Sequence, residues 1–286
     1  MKNTLSLISV ILCLCLQLQA QYYYNDILGT QETNRLMKSY QVNKVKTVSA
    51  TGYDKQGSKA NDFSEFHELK ENGTALKTSS FNGTNKSVTY ARFDDQARII
   101  SSTDSSAGIK SSTSYEYDKD GNVLKVQNIT KDPANDFNQT ETHQWIYNSS
   151  GKPEKMWRTI STGNAGAADS LEIRFIIDED GDAVEEKTYR KKRETGYWYY
   201  YYDDKNRMTD IVRFNTKLKK LLPDFMFEYD DNDRVIQKIT TTSSRNLGYL
   251  IWRYIFDAKG LKTKEALFND NKELTGKIEY SYVFAQ

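Results

Sequence analysis

Polar and apolar residues alternate along this chain in short runs, and most runs end in the same five-residue phrase: an aromatic or aliphatic residue, Asp or Asn, two polar residues, then usually Gly. The phrase stands at Tyr53-Asp54…Gly57, Phe93-Asp94…Ala97, Tyr117-Asp118…Gly121, Tyr147-Asn148…Gly151, Ile177-Asp178…Gly181, Tyr202-Asp203…Asn206, Tyr229-Asp230…Asp233 and Phe256-Asp257…Gly260, with a degenerate copy at Leu69-Lys70…Gly73. From Leu69 onward the copies are 24 to 30 residues apart, which suits a strand, a tight turn, a returning strand and a connection. Such a period means that one supersecondary unit is reused, and that most conspicuous residues belong to the scaffold. The flanking runs, among them residues 88–93, 98–101, 114–117, 122–126, 225–229 and 234–239, are short, rich in β-branched and aromatic residues, and bounded by Ser, Thr, Asn, Asp and Lys. They predict strands. Only residues 26–40, beyond the leader, suggest a helix, and a short one.

The phrase itself is hairpin chemistry. Asp at the first position of a type I turn accepts hydrogen bonds from backbone amides further on, and the fourth position takes a left-handed conformation to form a bulge, which favours Gly. Asn206 and Asp233 tolerate that conformation, so only Ala97 breaks the rule. Tyr117-Asp-Lys-Asp-Gly-Asn-Val-Leu124 and Tyr229-Asp-Asp-Asn-Asp-Arg-Val-Ile236 resemble the YD repeat of Rhs-type bacterial surface and secreted proteins. The resemblance covers roughly residues 50–284. It implies either carbohydrate binding or a shell-forming scaffold, and no toxin segment accompanies it here. The expected fold class is all-β: a repetitive antiparallel meander of hairpins forming an elongated, curved or partly rolled sheet.

The N-terminus adds a compartment. Lys2, an apolar stretch over residues 5–16 and Leu18-Gln19-Ala20 before Gln21 read as a removable signal peptide over residues 1–20. Residues 21–50 then form an N-terminal segment and residues 51–286 the repeat domain. Cys13 and Cys15 both fall in the leader, so the mature chain has no disulfide, thiol catalyst or thiolate metal site. Removing Lys2 from 40 basic residues against 39 acidic leaves a balanced charge, which argues against a nucleic-acid partner. The nearest basic run, residues 187–193, is interrupted by Thr188 and Tyr189 and flanked by Glu185, Glu186 and Glu194; it reads as a solvated strand or turn. The location that follows is the periplasm or surface of a Gram-negative-type bacterium.

Tyrosine is abundant, and an aromatic recurs two residues before the phrase at Tyr115, Trp145, Phe175, Tyr200, Phe227 and Tyr254. In register this column is a cross-strand ladder and reads first as core packing. Its functional reading is a solvent-facing platform on which a sugar ring stacks. The candidate ligand-binding residues are Trp198, Trp252 and His143, four residues before the phrase, with Tyr200, Tyr254, Arg253 and Arg174 beside them. For metal, Asp118 and Asp120, and Asp178, Asp180 and Asp182, gather oxygens in tight turns suited to Ca²⁺, the one cofactor considered. Turn chemistry alone also explains them.

With two histidines and no nucleophile context, no catalytic residues are assigned. The leading expectation is a non-catalytic envelope protein that binds glycan; the alternative is an envelope scaffold with a protein partner, and no transmembrane helix remains after leader cleavage. The rival class is an outer-membrane β-barrel, favoured by alternating strands and the leader. Against it stand the hydrophilic composition and charges on both faces of several strands.

Overall fold

The computed structural model describes residues 22–106, 108–163, 169–241 and 248–286, so the leader expected over residues 1–20 lies outside the described residues. Among the described residues one α-helix, α1 (Asn25–Val42), precedes eighteen strands. They are β1 (Val45–Asp54), β2 (Lys59–Lys70), β3 (Ala75–Asn82), β4 (Asn85–Phe93), β5 (Ile99–Ser106), β6 (Ile109–Tyr117), β7 (Val123–Asp132), β8 (Phe137–Tyr147) and β9 (Pro153–Thr162). The second half holds β10 (Asp169–Ile177), β11 (Ala183–Arg190), β12 (Arg193–Tyr202), β13 (Met208–Asn215), β14 (Lys220–Tyr229), β15 (Val235–Thr241), β16 (Tyr249–Phe256), β17 (Lys262–Phe268) and β18 (Leu274–Phe284).

Every strand pairs antiparallel with its chain neighbours, as the meander expects. The sheet does not stay open, however. β18 pairs with β1, from Val45 opposite Phe284 to Asp54 opposite Gly276. The expected open or partly rolled sheet is therefore corrected to a closed eighteen-stranded barrel. Closure satisfies the backbone groups that the first and last strands would otherwise expose.

Meander topology sorts the turns onto two rims. The phrase copies from Phe93 to Phe256 all join an even strand to the next odd one and so lie on one rim, here the phrase rim. The copy after Tyr53 and the turn after Phe268 lie on the opposite rim. The turns use their Asp as expected: Asp118 Oδ1 accepts from the amides of Asp120 and Asn122 at 2.9 and 2.8 Å, and Gly121, at φ +88°, closes the turn. Ala97 occupies the same left-handed position at φ +61°, a conformation costly for a residue with a β-carbon.

The tyrosine of the phrase latches one repeat to the last. Its hydroxyl donates to the backbone carbonyl just past the preceding turn: Tyr117 to Ile99, Tyr147 to Val123, Tyr202 to Ala183 and Tyr229 to Met208, all at 2.7–2.8 Å. The arginine that follows a turn lies over the next repeat's ring, as Arg98 does over Tyr117, Arg207 over Tyr229 and Arg234 over Phe256.

Inside the ring lies α1. Its buried positions Asp26, Thr30, Thr33, Met37 and Tyr40 recur every three or four residues and form one stripe, while Gln31, Glu32, Arg35 and Lys38 are exposed. At about 1.5 Å per residue the helix is roughly 27 Å long. Its N-terminal end meets β8, β10, β11 and β12, and its C-terminal end meets β2 and β18, about halfway round the ring. Midway, Asn34 Oδ1 accepts from the amide of Ile99 on β5. The helix thus lies across the barrel near the phrase rim as a lid.

Candidate functional site

The seat of this lid is a network of buried polar side chains. Along a strand, alternate side chains face the same way, so Glu141, His143 and Trp145 on β8 all point into the ring. His143 is bonded through Nδ1 to Asp26 Oδ2 of α1 at 2.7 Å and through Nε2 to Glu141 Oε1 at 2.9 Å. Trp145 Nε1 donates to the same Asp26 oxygen at 3.0 Å, and Arg158 Nε donates to Glu141 at 2.5 Å. Burial alone lowers the pKa of His143, but Asp26 and Glu141 outweigh it and hold the imidazole up at about 9. It is a buried cation between two carboxylates.

A second anchor is Glu186 on β11, which is fully buried. Its carboxyl accepts the backbone N–H groups of Tyr23 and Tyr24, each at 2.9 Å, and the Tyr200 hydroxyl at 2.7 Å. Burial pushes its pKa up to about 7, against the pull of those three donors. At the far end of α1 the arrangement of β8 recurs on β2: His67 Nε2 contacts Glu65 Oε1 at 2.5 Å, while Nδ1 faces the Tyr40 hydroxyl at 3.3 Å. Two Glu-x-His pairs on different walls therefore grip the two ends of one helix.

The candidate ligand residues are not brought together. Trp198, Trp252, His143 and Tyr200 are only 5%, 5%, 7% and 2% exposed, and Tyr254 faces inward with them. Arg174 and Arg253 point outward, where they contact Glu172 and Tyr189, and Gln237 and Phe268. The expected aromatic sugar platform is overturned by closure, which turns that column into the filling of the ring. The glycan-binding reading falls with it.

The acidic turns are occupied by their own backbone. Asp118 and Asp178 accept turn amides, and Asn122 Nδ2 caps the second oxygen of Asp118 at 2.8 Å. Asp120, Asp180 and Asp182 join them in no ligand set: among the described residues no three His, Cys, Asp or Glu are grouped to hold a metal ion.

Sequence reasoning passed over Glu186, Asp26, Glu65 and Glu141. For the three glutamates the available signal was an acidic residue at an inward, otherwise apolar strand position, twice in a Glu-x-His pair; Asp26, on α1, carried no such signal.

The outer wall is polar. Ion pairs run across neighbouring strands, as Glu68 with Lys77, Glu116 with Lys125, Glu172 with Lys155 and Glu279 with Lys264, and along single strands, as Glu68 with Lys70, Glu172 with Arg174 and Glu279 with Lys277. A shallow hollow of about 430 Å³ lies on this wall over β1–β4, between Phe66, Phe81 and Val88. No described helix is long and apolar enough to cross a membrane, which says nothing about crossing by strands.

No family model matches the chain, and no curated protein matches it. Among solved structures it is similar to a porin-like protein from Bacteroides uniformis (10% identity, 84% of this chain and 97% of that one, TM-score 0.42) and to one from Bacteroides vulgatus (9%, 84% and 98%, TM-score 0.29). It is also similar to part of TcdB2-TccC3 (12%, 77% of this chain and 16% of that one, TM-score 0.29). Likenesses at these TM-scores carry no argument about function, and the closed ring rests on this chain's own strand pairing.

Proposed function

We propose that this chain is an exported, non-catalytic β-barrel of the cell envelope that works through its outside. The observation that supports this reading is the lid: α1 crosses the lumen and is bonded at both ends, and the inward aromatics fill the space beneath it. The outer wall is then the working surface, and its mixture of ion pairs, hydroxyls and scattered exposed aliphatic side chains suits an envelope protein as partner. Fractionation of a Gram-negative host expressing the full chain tests the location. The reading expects an exported protein released by high salt or alkaline carbonate without detergent, and crosslinking in the intact envelope to trap it with a protein.

A second reading is favoured by closure itself: a barrel inserted in the outer membrane, since only closed sheets cross a bilayer. A lipid-facing wall needs a continuous apolar band, and each Lys or Arg at its midplane costs about 2–4 kcal/mol. Lys187, Arg174 and Lys155 stand mid-strand on this wall. Extraction by detergent alone would favour the inserted barrel.

A further inference from the structure

The rim opposite the lid carries a surface that the sequence does not announce. Two adjacent hairpins, β11–β12 and β13–β14, end there side by side, joined below their tips by pairing of β12 with β13 and by an edge-on contact of Tyr197 with Phe214, ring centres 5.9 Å apart. One tip is Arg190-Lys191-Lys192-Arg193; the other holds Lys217, Leu218, Lys219, Lys220 and Leu221. Folding thus sets the run that reads as a solvated turn beside a second basic stretch, Lys217–Lys220, about 25 residues further along the chain. Arg190 is paired with Asp169. Among the described residues no carboxylate pairs with the other six cations.

Two details mark these lysines as more than solvation. The two-residue turn at Lys191-Lys192 holds both residues at positive φ, +49° and +67°, and Lys219 sits at +54°. Such positions favour Asn or Gly; Gly83 and Gly108 take left-handed positions at other hairpin tips of this rim. Arg190 and Arg193 also stand directly opposite one another, and like charges across a ladder are unfavourable. Local folding would be better served by other residues, a pattern that points to a surface role. Leu218 and Leu221 are meanwhile 59% and 48% exposed among those charges.

We infer that this double tip docks the barrel onto an anionic lipid surface. Cations attract the headgroups and the two leucines enter the headgroup boundary, the combination by which peripheral proteins hold to membranes. Charge complementarity selects an anionic partner, and the exposed leucines between the lysines favour lipid over nucleic acid, which offers no apolar layer to receive them. The lid faces away from the membrane in this pose. The inference rests on the reading of the chain as an exported barrel with a water-facing wall.

The test is co-sedimentation of the mature chain, residues 21–286, with vesicles of phosphatidylcholine alone or mixed with phosphatidylglycerol. Binding to the mixed vesicles only, weakened by salt, is expected. Lys191→Asn, Lys192→Gly and Lys219→Asn together should leave the fold at least as stable, because they suit the turns, yet weaken binding by about a hundredfold, at on the order of fivefold per cation. Leu218→Ser with Leu221→Ser should weaken it while keeping the salt dependence. A soluble, folded chain that ignores anionic vesicles, or a triple variant that binds unchanged, would overturn the docking surface and leave the barrel reading standing. A chain that stays in solution only with detergent would overturn both. Preference for nucleic acid over mixed vesicles in competition would also overturn it.

Discussion

At the scale of single residues, the recurring phrase is a device for joining neighbours. Its Asp builds the turn, as the sequence indicates, but its Tyr has a second use that spacing alone does not reveal. The hydroxyl reaches back about twenty residues to a carbonyl, a contact that exists only once adjacent hairpins are paired. Tyr229→Phe removes such a bond to Met208 and should cost about 0.5–1.5 kcal/mol, read as a lower urea midpoint with an unchanged slope. Phe93, Ile177 and Phe256 already lack the hydroxyl, so the reverse change at Phe256 offers a control in the opposite sense. At Gly121, φ +88° makes Gly121→Ala unfavourable by about 1–2 kcal/mol, measured in the same way.

At the scale of elements, strand positions and turns were legible because alternation and turn residues are local signals. The lid was only half legible. Residues 26–40 suggested a helix, but its partners lie more than a hundred residues away at His143 and Glu186, where no periodicity records them. Met37, fully buried on the lid, should cost about 2–5 kcal/mol when changed to Ala, and the variant should show faster proteolysis within α1 than in the strands.

The lid's seat also fixes a pH dependence. Glu186 rises from an ordinary value near 4.5 to about 7, and His143 from 6.5 to about 9. Both groups bind protons more tightly in the folded state, so what they add to stability is complete below their ordinary values and is lost as pH rises through about 7 and about 9. Urea midpoints should therefore fall between pH 6 and pH 9.5, and Glu186→Gln should flatten the lower part of that decline. A midpoint that rises over this interval would remove the buried ionisable seat from the explanation.

At the scale of the whole molecule, the aromatic column shows why site and fold were confused in the sequence. Trp198, Trp252 and Tyr200 are equally well placed to coat an open sheet or to fill a closed one, and the side chains are the same in both. Only the pairing of β18 with β1 decides, and that contact joins residues more than two hundred positions apart. Composition misled in the same way: a hydrophilic chain with balanced charge describes the outer wall and says nothing of a ring sealed within.

The most direct test of the closed ring is a cysteine pair across the seam. Thr51 on β1 and Glu279 on β18 stand opposite each other in the ladder, both on the outer wall, and residues 21–286 contain no cysteine. Thr51→Cys with Glu279→Cys, oxidised in the folded protein and read by intact mass and non-reducing electrophoresis, should give an intramolecular disulfide in high yield, while Thr51→Cys with Arg174→Cys on the far wall should give none. Absence of the seam disulfide, with both thiols open to labelling in a folded chain, would contradict closure and return the protein to an open sheet with two free edges.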